Sequence, residues 1–213
     1  MKRRLSRLWL WFNGGGSRRR VIVTPALALL VTIVSLTWHL HGWPHALIRE
    51  LCGYRGWMMT THYAYRLPGG AVLIPNDDFY LSLPGLIAAL YPLERRVGSW
   101  HVLATIVFAH VFASIVAGIS VRLMHDDHAL HVLDVGTSVL MTSSAAMLAT
   151  YTRNKWVWIV VFALYGLDLA LSHDLASAEH SLAIGCGIAS GFGYERIQER
   201  ISAHSAKTFS DFC

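Results

Sequence analysis

The sequence predicts an all-α, polytopic membrane protein, a bundle of six transmembrane helices, and three observations lead there. Hydrophobic residues make up 54% of the 213 positions and charged ones only 15%. The apolar residues fall into long blocks rather than short amphipathic patterns, and a span needs about 20 predominantly apolar residues. The basic residues alternate with those blocks in a way that a fixed orientation in a bilayer explains.

The first block, residues 21–40 ("VIVTPALALLVTIVSLTWHL"), is too long for the apolar region of a signal peptide, and "HLHGWPHA" after it offers no small-x-small cleavage pattern. It is expected to be retained as a span. Five more blocks follow at residues 79–93, 101–123, 135–150, 156–172 and 175–194. The second is short and carries Pro84 and Gly85, so its edges are the least defined.

Charge provides an independent test. Lys2, Arg3, Arg4, Arg7, Arg18, Arg19 and Arg20 put the N-terminus on the cytoplasmic side. Six spans then make "LERRVGS", "YTRNKW" and the C-terminal stretch "YERIQERISAHSAK" cytoplasmic, and each carries basic residues. Asp77, Asp78, Asp126, Asp127, Asp134, Asp174 and Glu179 all fall on the outer side. The net charge of +5 is therefore a topology signal, and no nucleic-acid-binding module accompanies it. The expected location is the cell (inner) membrane, multi-pass, with both termini in the cytoplasm.

Two segments are expected to lie on the bilayer. In "RRLSRLWLWF", Leu5, Leu8, Trp9 and Phe12 recur at i, i+3, i+4 and i+7 beside arginines, the pattern of an interfacial helix. The outer loop 41–78 is rich in Trp43, Trp57, Met58, Met59, Tyr63 and Tyr65, several of them aromatics that favour the headgroup level. The chain thus divides into a basic amphipathic arm (1–20), a six-span domain (21–195) containing that loop, and a short cytoplasmic tail (196–213). Cys52 outside, Cys186 in the last span and Cys213 in the tail leave no intramolecular disulfide.

Polar side chains at membrane depth are costly and so are the first candidates for function. Ser138 stands about one turn into the fourth block and His180 about one turn into the sixth, both counted from the outer side, at matching depths of roughly 5 to 8 Å. The face of the sixth block continues through Ala183, Gly187 and Gly191, and that of the fourth through Thr142, Ala145 and Ala149. Helices lined with such small residues approach closely, which would bring the imidazole toward the hydroxyl. Ser138 and Thr142 can equally pack or bond back to their own helix, with His180 a satisfied polar residue. His110, midway along "IVFAHVFASIVAG", suits an interhelical hydrogen bond, and Asp168 in the fifth block is similar. "HDDHALH" supplies His125, Asp126, Asp127, His128 and His131. These are metal-ligand types, but adjacent residues in a short loop more often form a solvated turn, so no metal site is assigned.

Three stretches together resemble the rhomboid family of intramembrane serine proteases. "YPLERRVGSWHVL" is similar to the family's junction of spans two and three, where a Glu-Arg pair precedes Gly-Ser; "DVGTSVLM" to its Gly-x-Ser-Gly; and "AEHSLAIGCG" to its Ala-His-x-x-Gly-x-x-x-Gly. The resemblance covers about residues 21–195 and implies a rhomboid-like six-helix bundle with Ser138 as nucleophile and His180 as base. It implies a serine-type endopeptidase that cleaves transmembrane-helix substrates near the outer membrane face, with no metal or cofactor. The chain departs from the family at Val139 and Ala183, where glycines are usual. It departs again on span two, where the family's oxyanion-binding His and Asn fall on Asp78 and Ser82. Ser82, Asp78 and Gly136 are the oxyanion or cleft candidates. An ionised Asp78 would repel an oxyanion, so the alternative is an inactive rhomboid-like protein that binds client transmembrane helices.

Overall fold

The computed structural model describes residues 21–40, 42–53, 66–74, 79–124, 136–153, 155–172 and 175–210. Among them the chain is all helical and contains no strand. The six apolar blocks coincide with the helices α1 (Val23–Trp38), α4 (Phe79–Val97), α5 (Ser99–Leu123), α6 (Thr137–Thr152), α7 (Lys155–Ser172) and α8 (Leu175–Ser210). Two shorter helices, α2 (Trp43–Cys52) and α3 (Leu67–Gly70), lie between α1 and α4 in sequence. By length and composition α5 is the one described helix long and apolar enough to cross a membrane, and α1 is a shorter apolar helix. The N-terminal arm 1–20 lies outside the described residues, as does most of the loop between α2 and α3.

A single carboxylate organises the start of the bundle. Glu94, in the last turn of α4 and 0% exposed, accepts the backbone N–H of Ile22 at 2.8 Å and of Val23 at 2.7 Å on Oε1. Its Oε2 accepts both the N–H and the hydroxyl of Thr24, at 2.8 and 2.6 Å, and the Ser99 hydroxyl donates to Oε1. The first N–H groups of a helix have no partner within it and carry the positive end of the helix dipole. Glu94 supplies that partner from another helix and ties α1, α4 and α5 together at one point.

The chain then reverses between α4 and α5 through Gly98 alone. Its φ of 90° lies in the region that glycine adopts without penalty, so the "VGS" sequence permits two long helices separated by one residue. Pro84 and Gly85 do not break α4, which runs unbroken from 79 to 97. Pro84 falls in the second turn, so only one early carbonyl loses its donor. Gly85 has its own reason, because a Cβ there would come within 2.7 Å of Met141 Sδ on α6.

Helix α5 lines its inner face with small and apolar residues, from Val102 through Ala109, Ala113 and Ala117 to Val121, all buried. Side-chain pairs fix its direction against the others. Thr105 donates to Met147 Sδ at 3.3 Å, Ala113 shares a cluster with Val139 and Ala183, and Ala117 and Val121 pack with Ala178 and Leu182. At the other end His101 meets the Tyr194 ring edge-on, and Tyr194 meets Tyr151. Helices α4, α6 and α8 therefore run one way and α5 the other, with α6 in the middle.

Helix α6 holds an unusual number of hydroxyls for a buried helix. Thr142, Ser144, Thr150 and Thr152 each donate to the carbonyl four residues earlier, at 2.7 to 2.9 Å. The helix thereby satisfies its own polar groups and can be surrounded by apolar neighbours. Helix α8 continues well past residue 195, through Ser210. Its 36 residues correspond to about 54 Å, nearly twice a hydrocarbon core of about 30 Å.

Candidate active site at the heads of α6 and α8

Ser138 is the second residue of α6 and is half-buried. The turn that delivers it is held by α3. Gly136 N–H donates to Gly70 O at 3.1 Å, and the Thr137 hydroxyl reaches Ala71 O at 3.0 Å and Leu73 O at 3.2 Å. Gly136 has an ordinary helical φ of −66°, so its glycine answers to space. A Cβ there would collide with the His110 ring at Cε1 and Nδ1 and stand 2.9 Å from Ala71 Cα. Along "GTS", Gly136 allows the close approach, Thr137 clamps the loop and Ser138 is the candidate nucleophile.

His180 is also half-buried, in the second turn of α8. The two helices meet through the glycine face of α8. A Cβ on Gly187 would overlap Ser143 O and lie 2.8 Å from Ala146 Cβ; one on Gly191 would lie 2.8 Å from Thr150 Cβ. One turn above, Val139 and Ala183 are buried in one cluster with Ala113. Val139 with Ala183 and Ser143 with Gly187 share one register, which puts Ser138 level with Leu182. His180 stands two residues above, about 3 Å of helix rise. Ser138 and His180 thus lie near the heads of neighbouring parallel helices, offset along them by those two residues. The contact seam on α6 is shifted, however. It uses Ser143, Ala146 and Thr150 rather than Thr142, Ala145 and Ala149, and Thr142 bonds back to Ser138 O at 2.7 Å.

Ser82 is half-buried in the first turn of α4. Gly85 faces Met141 across parallel helices, and one turn back along each leads to Ser82 and Ser138. Ser82 and Ser138 therefore stand near one level of the bundle. Asp78 lies outside the described residues, and so do His125, Asp126, Asp127, His128 and His131. Asp168 is in α7, in a part whose side chains are not described. No cluster of three or more metal-ligand side chains occurs among the described residues.

Two ionisable residues flank the site: His110, which makes the interhelical hydrogen bond expected of it, and Glu179, which the sequence did not single out. Glu179, which the expected topology put on the outer side, is 4% exposed, beside Ser177 at 1%. His110 is 2% exposed and its Nε2 lies 2.8 Å from Leu67 O. A carbonyl can only accept, so Nε2 carries the proton and donates. The sequence signal for both was an ionisable residue beside or within an apolar block; what each would touch depended on α3 and α5, which periodicity does not position.

A hydroxyl and an imidazole near the heads of two closely packed helices can support nucleophilic acyl transfer with the imidazole as base where the two side chains meet. No protein-family profile, no curated protein and no solved structure matches this chain.

Proposed function

We propose that the chain is a rhomboid-like intramembrane serine protease, with Ser138 and His180 as its dyad, cleaving transmembrane helices of other proteins near the outer membrane face. The observation that supports the reading is the glycine-mediated seam of α6 and α8, which brings close together the two helices whose heads carry Ser138 and His180. In the reaction His180 removes the Ser138 proton and the alkoxide attacks a substrate carbonyl. The backbone N–H of Ser138 and the Ser82 hydroxyl face the developing oxyanion, and His180 then returns the proton to the leaving amine.

Membrane embedding is part of the same proposal. Leu29, Ile33, Leu36, Val107, Phe108, Val160 and Phe162 are each more than half exposed, on α1, α5 and α7. Soluble monomers rarely expose apolar patches beyond a few hundred Å², whereas acyl chains cover such a belt at no cost. The six long helices cross the bilayer as a rhomboid-like bundle with both termini in the cytoplasm, and α2 rests on the outer leaflet.

The second reading is a rhomboid-like protein that binds client transmembrane helices without cutting them. Val139 favours it, since it is 1% exposed and fills the space beside Ser138 where the family carries glycine. Labelling of detergent-solubilised protein with a fluorophosphonate separates the two. The protease reading expects labelling of wild type that is lost in Ser138→Ala and His180→Ala; labelling that is absent, or that survives in both variants, ends it. The binding reading expects client co-purification that Ser138→Ala leaves unchanged.

A further inference from the structure

His110 lies in the middle of α5, away from both members of the dyad in sequence, yet it sits at the junction of the two elements that deliver Ser138. On one side its Nε2–H donates to Leu67 O at 2.8 Å, fastening α3. On the other its ring edge lies against Gly136, close enough that no side chain fits between them. Helix α3 and the α6 head are themselves joined by Gly136 N–H to Gly70 O and by the Thr137 hydroxyl to Ala71 O and Leu73 O. The ring therefore closes a circuit of α5, α3 and the Gly136–Thr137 turn. The next residue is Ser138, whose backbone N–H and hydroxyl both take their positions from that turn.

We propose that His110 is a positioning residue of the Ser138 site, pinning the α3 loop to the head of α6 and so fixing where the Ser138 hydroxyl and N–H stand. This rests on the reading of Ser138 as nucleophile. The working part of the ring is its Nε2–H, because Nδ1 has no hydrogen-bond partner among the described residues. A side chain that keeps a donor at that reach should therefore keep the function. His110→Gln does so; His110→Leu keeps much of the bulk and loses the donor.

The test is fluorophosphonate labelling of the full chain, resolved into probe affinity and maximal rate. A misplacement of about 1 Å costs about 10²-fold in rate, so His110→Leu is expected to lose about that much in maximal rate with probe affinity little changed, and His110→Gln to recover most of it. A folded His110→Leu that labels like wild type overturns the proposal. So does a His110→Gln as slow as His110→Leu, since ring packing would then be what matters. Should His110→Leu not fold, Thr137→Val releases the same loop from the other side and decides the matter: slowed labelling supports the pin, and wild-type labelling overturns it. A second readout needs no activated serine. Methanethiosulfonate modification of Ser138→Cys, measured above the background of Cys52, Cys186 and Cys213, should change in rate when His110→Leu or Thr137→Val is added. Wild-type protein that never labels would end the protease reading alone, and an unchanged modification rate would then end the pin.

Discussion

At the residue scale two positions are expected to be intolerant for different reasons. Gly136 is constrained by volume. Overpacking a well-filled site typically costs about 1 to 3 kcal/mol, so Gly136→Ala should destabilise by about that much, and the cost should shrink when His110→Ala supplies room. It should not vanish, because Ala71 Cα remains 2.9 Å from the new methyl. Thermal unfolding of the two single variants and the double measures this coupling directly. Glu94 is constrained by chemistry. Replacing it with Gln puts an amide donor where N–H and O–H donors converge from Ile22, Val23, Thr24 and Ser99. Hydrogen bonds to a charged acceptor are each worth about 1.5 to 3 kcal/mol, so Glu94→Gln should cost at least about 3 kcal/mol in denaturant unfolding. A variant as stable as wild type would mean that α1 holds its place without the clamp. The sequence showed this glutamate only as part of a short family-like stretch, because its partners lie about seventy residues upstream.

At the scale of helices the glycines of α8 sort into two kinds, and the difference is testable. Gly187 meets the Ser143 carbonyl and the Met147 backbone, atoms that cannot move aside, whereas a Cβ on Gly185 meets nothing within 4 Å. Gly187→Ala should force α6 and α8 apart, lower stability and slow fluorophosphonate labelling as His180 retreats from Ser138. Gly185→Ala should label like wild type and gain about 0.5 to 1 kcal/mol from improved helix propensity. Equal effects of the two substitutions would deny that seam any special role. This pair also shows what was legible in the sequence. The helix positions followed from apolar blocks, and the stripe Ala183–Gly187–Gly191 was visible from its four-residue spacing, although Gly185 and Gly193 on other faces of α8 are as small. On α6 the seam was placed one position off, since Ser, Thr and Ala occur on every face and period alone cannot choose between them. The hydroxyls that suggested chemistry along α6 turn out in several cases to bond to their own helix, and Ser138 stands out through the turn that presents it. The short helix α3 was not foreseen. Its four residues carry no periodicity, and it is held by the Leu67 carbonyl on His110 and the Gly70 carbonyl on Gly136 N–H, with Thr137 bonding the carbonyls just after it.

At the scale of the whole molecule the alternation of helix direction and the distribution of charge make one joint prediction. Helices α4, α6 and α8 run parallel and α5 opposes them, so the α4–α5 reversal at Gly98 lies at one end of the bundle and the heads of α6 and α8 at the other. Arg95 and Arg96 precede that reversal, and under the proposed topology the bias of basic residues toward the cytoplasmic side puts it inside. On the proposed topology the candidate site lies near the outer face; Trp43, at the start of α2, is 75% exposed. Helix α2 adds Leu47 and Leu51 on the same exposed stripe, as a helix lying along the interface would. In intact cells an impermeant maleimide should modify Ala129→Cys, in the segment joining α5 to α6. It should reach Arg96→Cys and Asn154→Cys only after the membrane is opened. Modification of Arg96→Cys in intact cells would invert the bundle, put Ser138 and His180 on the cytoplasmic side, and require substrates to be cut there instead.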